Sequence, residues 1–195
     1  MKAFTSVTGT VAALDRANVD TDQIIPKQFL KRIERTGFAE GLFFEWRQDP
    51  GFPLNRPDFK GAPILAAGKN FGSGSSREHA PWALEDAGFR AIVAPSFADI
   101  FRSNCGNIGI VCAVLPEADV RELLDAAPAP ATVDLERRVV VLPSGREVAF
   151  AFDENLRHRI LNGLDEIALT LQREDEISAY EATRERPGPS ILALG

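Results

Sequence analysis

The residues best suited to chemistry lie in one run, NFGSGSSREHAPWAL, from Asn70 to Leu84. Ser75 and Ser76 set two hydroxyls side by side. Arg77 adds a permanent cation whose planar fork matches a carboxylate. Gly72 and Gly74 let the backbone approach a ligand closely. Ser75 and Glu78, three apart, form a capping-box pattern, which predicts a helix starting at Ser76 and ending near Gly88. A helix amino terminus presents free amides and attracts anions. A small dicarboxylate fits this chemistry, so the run reads as a helix cap, an anion cradle, or half of an active site. Pro81 is awkward in such a helix because it lacks an amide.

Other chemistries fit less well. A phosphate loop wants Lys and then Ser or Thr after its last glycine, and GSGSSR lacks them. The dinucleotide pattern lacks its third glycine. His79 stands four residues from Ser75 on the same predicted helix, which suits packing better than service as its base. The two histidines are His79 and His158 and the two cysteines Cys105 and Cys112, so no metal-ligand cluster and no four-cysteine iron–sulfur site is expected from this chain. Both cysteines read as small core hydrophobes.

The elements that must position the run alternate. PILAAG (63–68), RAIVAPS (90–96) and IGIVCAVL (108–115) read as buried strands. Helical stretches separate them, one of which (97–107) is expected to stop at Gly106. The pattern predicts parallel βαβ units. Upstream, residues 3–14 read as a strand and 15–26 as a polar loop of functional appearance. Residues 26–46 suggest short helical pieces broken by Gly37 and Gly41, and the Pro- and Gly-rich 47–63 irregular chain. Downstream come an amphipathic helix (117–127) and a hairpin turning at Pro143-Ser144-Gly145. A largely helical region then begins at an Asp153 cap and breaks at Gly163, and the tail RPGPSILALG is expected to stay loose until docked.

The chain has 195 residues, 45% hydrophobic and 26% charged, with a net charge of −6. That suits a single domain with a real core. The acidic balance argues against nucleic acid as partner. No signal peptide and no membrane span are expected, and a cytoplasmic location follows as the expectation.

The Asn70–Leu84 run closely resembles the swivel-domain motif of the aconitase superfamily, and more narrowly the small-subunit family of 3-isopropylmalate dehydratase. VDTDQIIPKQFLK (Val19–Lys31) resembles a second block of that family and AIVAPSFADIFRSNCGNIGI (Ala91–Ile110) a third. The resemblance covers essentially the whole chain. It implies an α/β fold: a swivelling β/β/α domain over residues 1–195, its mixed, partly parallel sheet flanked by helices, with a helical C-terminal extension from about 153. It implies a hydro-lyase of leucine biosynthesis that interconverts 2- and 3-isopropylmalate by dehydration and rehydration. It also implies a large-subunit partner that carries a [4Fe-4S] cluster.

By the same resemblance Ser75 is the catalytic base. Ser76, Arg77, Asp22 and Thr21 lie at the substrate, and Leu30 and Lys31 fall on the loop that discriminates substrates. Ser73 stands where relatives often have cysteine. A homoaconitase or citraconate/methylmalate hydratase small subunit is the near alternative. A non-catalytic anion-binding module is the distant one.

Overall fold

The computed structural model describes residues 1–31 and 34–184. The tail segment from Arg186 falls outside them. Seven strands form one sheet in the order β4-β3-β2-β1-β5-β6-β7. These are β1 (Ser6–Leu14), β2 (Ile64–Ala67), β3 (Ala91–Ala94), β4 (Val111–Val114), β5 (Pro130–Asp134), β6 (Val139–Val141) and β7 (Glu147–Ala149). β1 to β4 run parallel, whereas β5, β6 and β7 join antiparallel on the other side of β1.

The parallel half explains the apolar runs in the sequence. All four residues of β2 and of β3 are buried. Side chains alternate across a strand, so a run buried throughout must face a core on both sides. Leu65, Ala67, Ile92, Ala94 and Cys112 face one core with Leu14 and Phe71. Ile64, Ala66, Ala91, Val93 and Val111 face the other with Val133 and Val140.

Helices cover both faces. In chain order they are α1 (Thr21–Ile24), α2 (Phe44–Arg47), α3 (His79–Asp86), α4 (Asp99–Ile108), α5 (Glu117–Ala126), α6 (Glu154–Asn162), α7 (Glu166–Leu171) and α8 (Glu174–Thr183). Leu84 of α3 and Phe101 of α4 pack into the first core, while Val120 and Leu123 of α5 and Ile160 of α6 pack into the second. Short 3-10 turns occur between β1 and β2, at Lys27–Lys31 and Phe38–Gly41 and, in the Pro- and Gly-rich stretch, at Pro53–Asn55 and Pro57–Phe59.

Four local expectations change. The capping box at Ser75 and Glu78 does not form. α3 begins at His79 with Glu78 as its cap residue and no side-chain cap. Pro81 is then the third helical residue, among the first-turn positions whose amides have no helical partner, so its missing N–H costs little. α4 runs through Gly106 and stops at the left-handed Gly109. The region read as one hairpin is a three-stranded meander, because Leu135–Arg138 makes a further turn with Arg138 at φ 56° and the Asp134 carboxylate accepting from the Arg137 amide at 2.8 Å. α6 begins behind an Asp153 cap and ends at left-handed Gly163, in agreement with the sequence.

Candidate active site

Three loops meet beyond the carboxyl ends of β1, β2 and β3, where open parallel sheets place their ligand crevices. The central one, Gly68–Glu78, follows β2. Main-chain bonds hold it on one side to the loop after β1. The amides of Gly72 and Ser73 donate to the Val19 carbonyl at 2.8 and 3.1 Å, and the Thr21 amide donates to the Ser73 carbonyl at 2.9 Å. On the other side the Phe71 amide donates to the Ser96 carbonyl at 3.1 Å, and the Ala98 amide to the Phe71 carbonyl at 3.0 Å.

Side chains tighten the joint. Asn18 and Asn70 both adopt left-handed backbone, at φ 56° and 57°, and Asn70 Nδ2 donates to Asn18 Oδ1 at 2.9 Å. The Ser73 hydroxyl donates to the Asn18 carbonyl at 3.4 Å, a structural contact. Asp20 and Gln23 form a complete capping box at the start of α1. The pattern is present in the sequence as D-T-D-Q, inside the stretch read as loop.

Gly72 sits at φ 79°, and a Cβ there would stand 2.1 Å from Phe101 Cγ. No other residue type lets the loop lie this close to α4. Gly74, at φ 87°, lies beside Asp20 and Thr21.

The result is a cavity of about 250 Å³. Ser75, Ser76 and Arg77 line one side with Thr21, and the first turn of α4 (Ala98–Phe101) lines the other. The helix whose amino terminus opens on the cavity is therefore α4, not α3. Ala98 provides no side-chain cap, so the first-turn amides of α4 are not met by one.

The individual side chains divide the work. Ser75 is exposed, and its hydroxyl makes no hydrogen bond among the described residues. Its carbonyl accepts from the Thr21 hydroxyl at 2.7 Å. Thr21 is 2% exposed, so its one donor is committed to holding the loop. Ser76 Oγ accepts from Asn104 of α4 at 3.5 Å.

Arg77 Nη1 donates to the neighbouring Ser76 carbonyl at 3.0 Å, and Nη2 stands 3.5 Å from the Asp22 carboxylate. At that length and exposure the ion pair orients the guanidinium without neutralising it. Arg77 Nε is buried and makes no hydrogen bond among the described residues.

Leu30 and Lys31 are not brought to this cavity. They lie in the 3-10 turn Lys27–Lys31, where Leu30 packs against the first core and Lys31 is exposed. His79 packs in an aromatic group, its ring centroid 5.2 Å from Phe38 and 4.7 Å from Trp82. Burial pushes its pKa down, with Glu78 partly opposing. Asn18, Asn70, Asn104 and Ile100 escaped sequence reasoning; the left-handed propensity of asparagine was the one signal available for the first two.

The residues present do not fit an iron–sulfur cluster. The two cysteines are buried, and no group of three or more His, Cys, Asp or Glu among the described residues is placed to hold a metal ion.

Residues 1–118 match the Aconitase C-terminal domain, and residues 166–186 match the C-terminal domain of the 3-isopropylmalate dehydratase small subunit. The 3-isopropylmalate dehydratase small subunit of Rhodopirellula baltica is 56% identical over 94% of this chain and 100% of its own length. The chain belongs to the 3-isopropylmalate dehydratase small-subunit family.

Family members of that name from Hahella chejuensis and Acidothermus cellulolyticus are 52% and 53% identical, over 97% and 99% of this chain and 97% and 100% of theirs. The fold agrees as well. The crystal structure of 3-isopropylmalate dehydratase from Methanocaldococcus jannaschii superposes with a TM-score of 0.70 at 25% identity, covering 89% of this small subunit and 98% of that chain. As a small subunit of a dehydratase, the chain works with a large subunit. No helix among the described residues is long and apolar enough to cross a membrane.

Proposed function

We propose that this chain supplies the proton-transfer and carboxylate-binding half of a 3-isopropylmalate dehydratase, as one swivelling domain that closes on a large subunit. The observation that carries this reading is the cavity itself. Three loops place a free serine hydroxyl, a second serine and an arginine on one wall, facing the first turn of α4, which no side chain caps.

In the reaction a proton leaves the carbon next to a carboxylate as hydroxide leaves its neighbour, giving an isopropylmaleate, and water returns in the opposite sense. Ser75, as its alkoxide, takes that proton to become a neutral hydroxyl and returns it in the reverse step. Arg77 and Ser76 hold the carboxylate, and Asp22 keeps the guanidinium turned toward it. As negative charge grows on the carboxylate in the transition state, Arg77 and the α4 amides bind it more tightly than in the ground state. Thr21 fixes the Ser75 backbone. The [4Fe-4S] cluster implied by the family belongs to the large subunit, and none of these roles depends on a metal ligand from this chain. The compartment proposed is the cytoplasm.

The test is co-expression with a cluster-bearing large subunit and an anaerobic assay of isopropylmalate isomerisation. The pair turns over and the chain alone does not. Ser75→Ala lowers kcat by about 10³-fold, within the usual range for loss of a general base, while the variant still co-purifies with its partner. Turnover by the chain alone, or an active Ser75→Ala complex, would refute the proposal. Equal or better turnover of homocitrate-type or methylmalate-type substrates would redirect it to the related hydratases.

A further inference from the structure

The first turn of α4 lines the cavity with Ala98, Asp99, Ile100 and Phe101, and neither proton transfer nor carboxylate binding uses the isoleucine side chain. Ile100, the second residue of α4, lines the cavity together with Ser75, Ser76 and Arg77. It is 56% exposed. Among the described residues the other exposed large apolar side chains are Ile167, Leu171, Ile177 and Tyr180, all on α7 or α8. On the body of the fold, then, Ile100 stands apart. A single exposed isoleucine is ordinary in itself. Its place is what gives it meaning, because it faces solvent where a ligand enters.

The wall is also held firmly. Phe101, the next residue, is 2% exposed, pairs edge-on with Phe71 at 5.4 Å and lies directly over Gly72. The first turn of α4 is thus fixed against the serine loop, and Ile100 is presented at a set distance from the hydroxyls. Leu30 is differently placed. It leans on the first core, and its neighbour Phe29 packs against Phe44 with ring centroids 5.2 Å apart.

We propose that Ile100 is a specificity-determining residue: the alkyl substituent of the substrate packs on it, which selects branched-alkyl malates over unsubstituted ones. The proposal rests on reading the cavity as the substrate site. Arg77 and the serines account for the polar end of such a molecule. A branched aliphatic group needs an apolar surface that water otherwise covers, and the exposed side chain of Ile100 offers one, although the acidic Asp99 precedes it in the same lining.

The experiment uses the complex with its large subunit. Turnover of 3-isopropylmalate by the wild-type complex tests the functional reading, and the alkyl dependence tests Ile100 separately. Malate, 3-methylmalate and 3-isopropylmalate are compared as substrates or, where not turned over, as competitive inhibitors. In the wild type, affinity rises with alkyl size. Ile100→Ala lowers kcat/KM for 3-isopropylmalate by about 10-fold, in the range for lost apolar pocket contacts, and leaves the inhibition constant of malate unchanged. Ile100→Leu restores most of the selectivity.

Equal losses for all three compounds, or none, overturn the proposal. Loss of co-purification in Ile100→Ala would assign the residue to the subunit interface and overturn it too. So would a selective loss in Leu30→Ala with none in Ile100→Ala.

Discussion

Thr21 and Ser75 show how a reactive side chain is kept free. The Thr21 hydroxyl reaches the Ser75 carbonyl, so the backbone is fixed and the Ser75 hydroxyl carries no structural duty. A hydrogen bond of this kind contributes about 1 kcal/mol to stability, but its loss displaces a reacting group. Thr21→Val, which keeps the shape and removes the donor, is expected to lower kcat by about 10-fold with KM nearly unchanged, and Thr21→Ser to restore it. Steady-state kinetics of the complex distinguish this from direct substrate binding, which would raise KM instead. His79 gives a pH dependence. Its pKa in the folded chain is pushed below the ordinary 6.5 by burial. The folded state therefore takes up that proton less readily than the unfolded chain. The corresponding stability is present above 6.5 and is lost as pH falls below it. Urea unfolding across that range is expected to show a smaller acid loss in His79→Phe than in the wild type.

Among the elements, the contact between the serine loop and α4 decides most. Gly72→Ala forces a side chain into left-handed backbone and into the Phe101 ring. About 2–4 kcal/mol of destabilisation follows, from strain and overpacking together, measurable by chemical unfolding. Asp20→Ala removes only the cap of α1 and costs about 1 kcal/mol in the same measurement. The strands of the parallel half were legible because burial on two faces leaves an unbroken apolar run, as in Ile64–Ala67 and Ala91–Ala94. The joint between loops was not. The bridges Asp20↔Ser73 and Phe71↔Phe97 are made by main-chain atoms, which leave no mark in residue type. The start of α3 was misplaced for a related reason. Ser75 and Glu78 satisfy a local pattern, but Ser73 and the Ser75 carbonyl are held by Val19 and Thr21, and a local pattern cannot register those partners. Ser75, Ser76, Arg77 and Asp22 could be named from sequence through resemblance. Ile100 could not, because an isoleucine on a helix reads as core until its exposure is known.

At the scale of the molecule, β1 separates two kinds of sheet. Parallel strands on one side end at the cavity, and the antiparallel meander on the other side carries no part of it. α6 belongs to the body, with Ile160 fully buried and Arg157 donating to the Leu135 and Glu136 carbonyls at 3.1 and 2.6 Å. α7 and α8 contain no buried residue. Ending the chain after Asp165 keeps the contact of that carboxylate with the amino terminus and removes little packing. The unfolding free energy of the body is expected to change by less than about 1 kcal/mol, as judged by urea denaturation of the shortened chain.

The thiols of Cys105 and Cys112 lie where α4 meets β4, 0% and 2% exposed. Burial, and then the neighbouring Cys112, raises the Cys105 pKa well above its ordinary value, so the group remains a thiol and resists alkylation while the helix is seated. A small thiol reagent can then act as a stopwatch. Its rate of labelling counts how often α4 lifts from the sheet. The same excursion carries off Ile100, Phe101 and Asn104, dismantling one wall of the cavity. Any molecule that seats against that wall must slow the clock by the factor with which it is held.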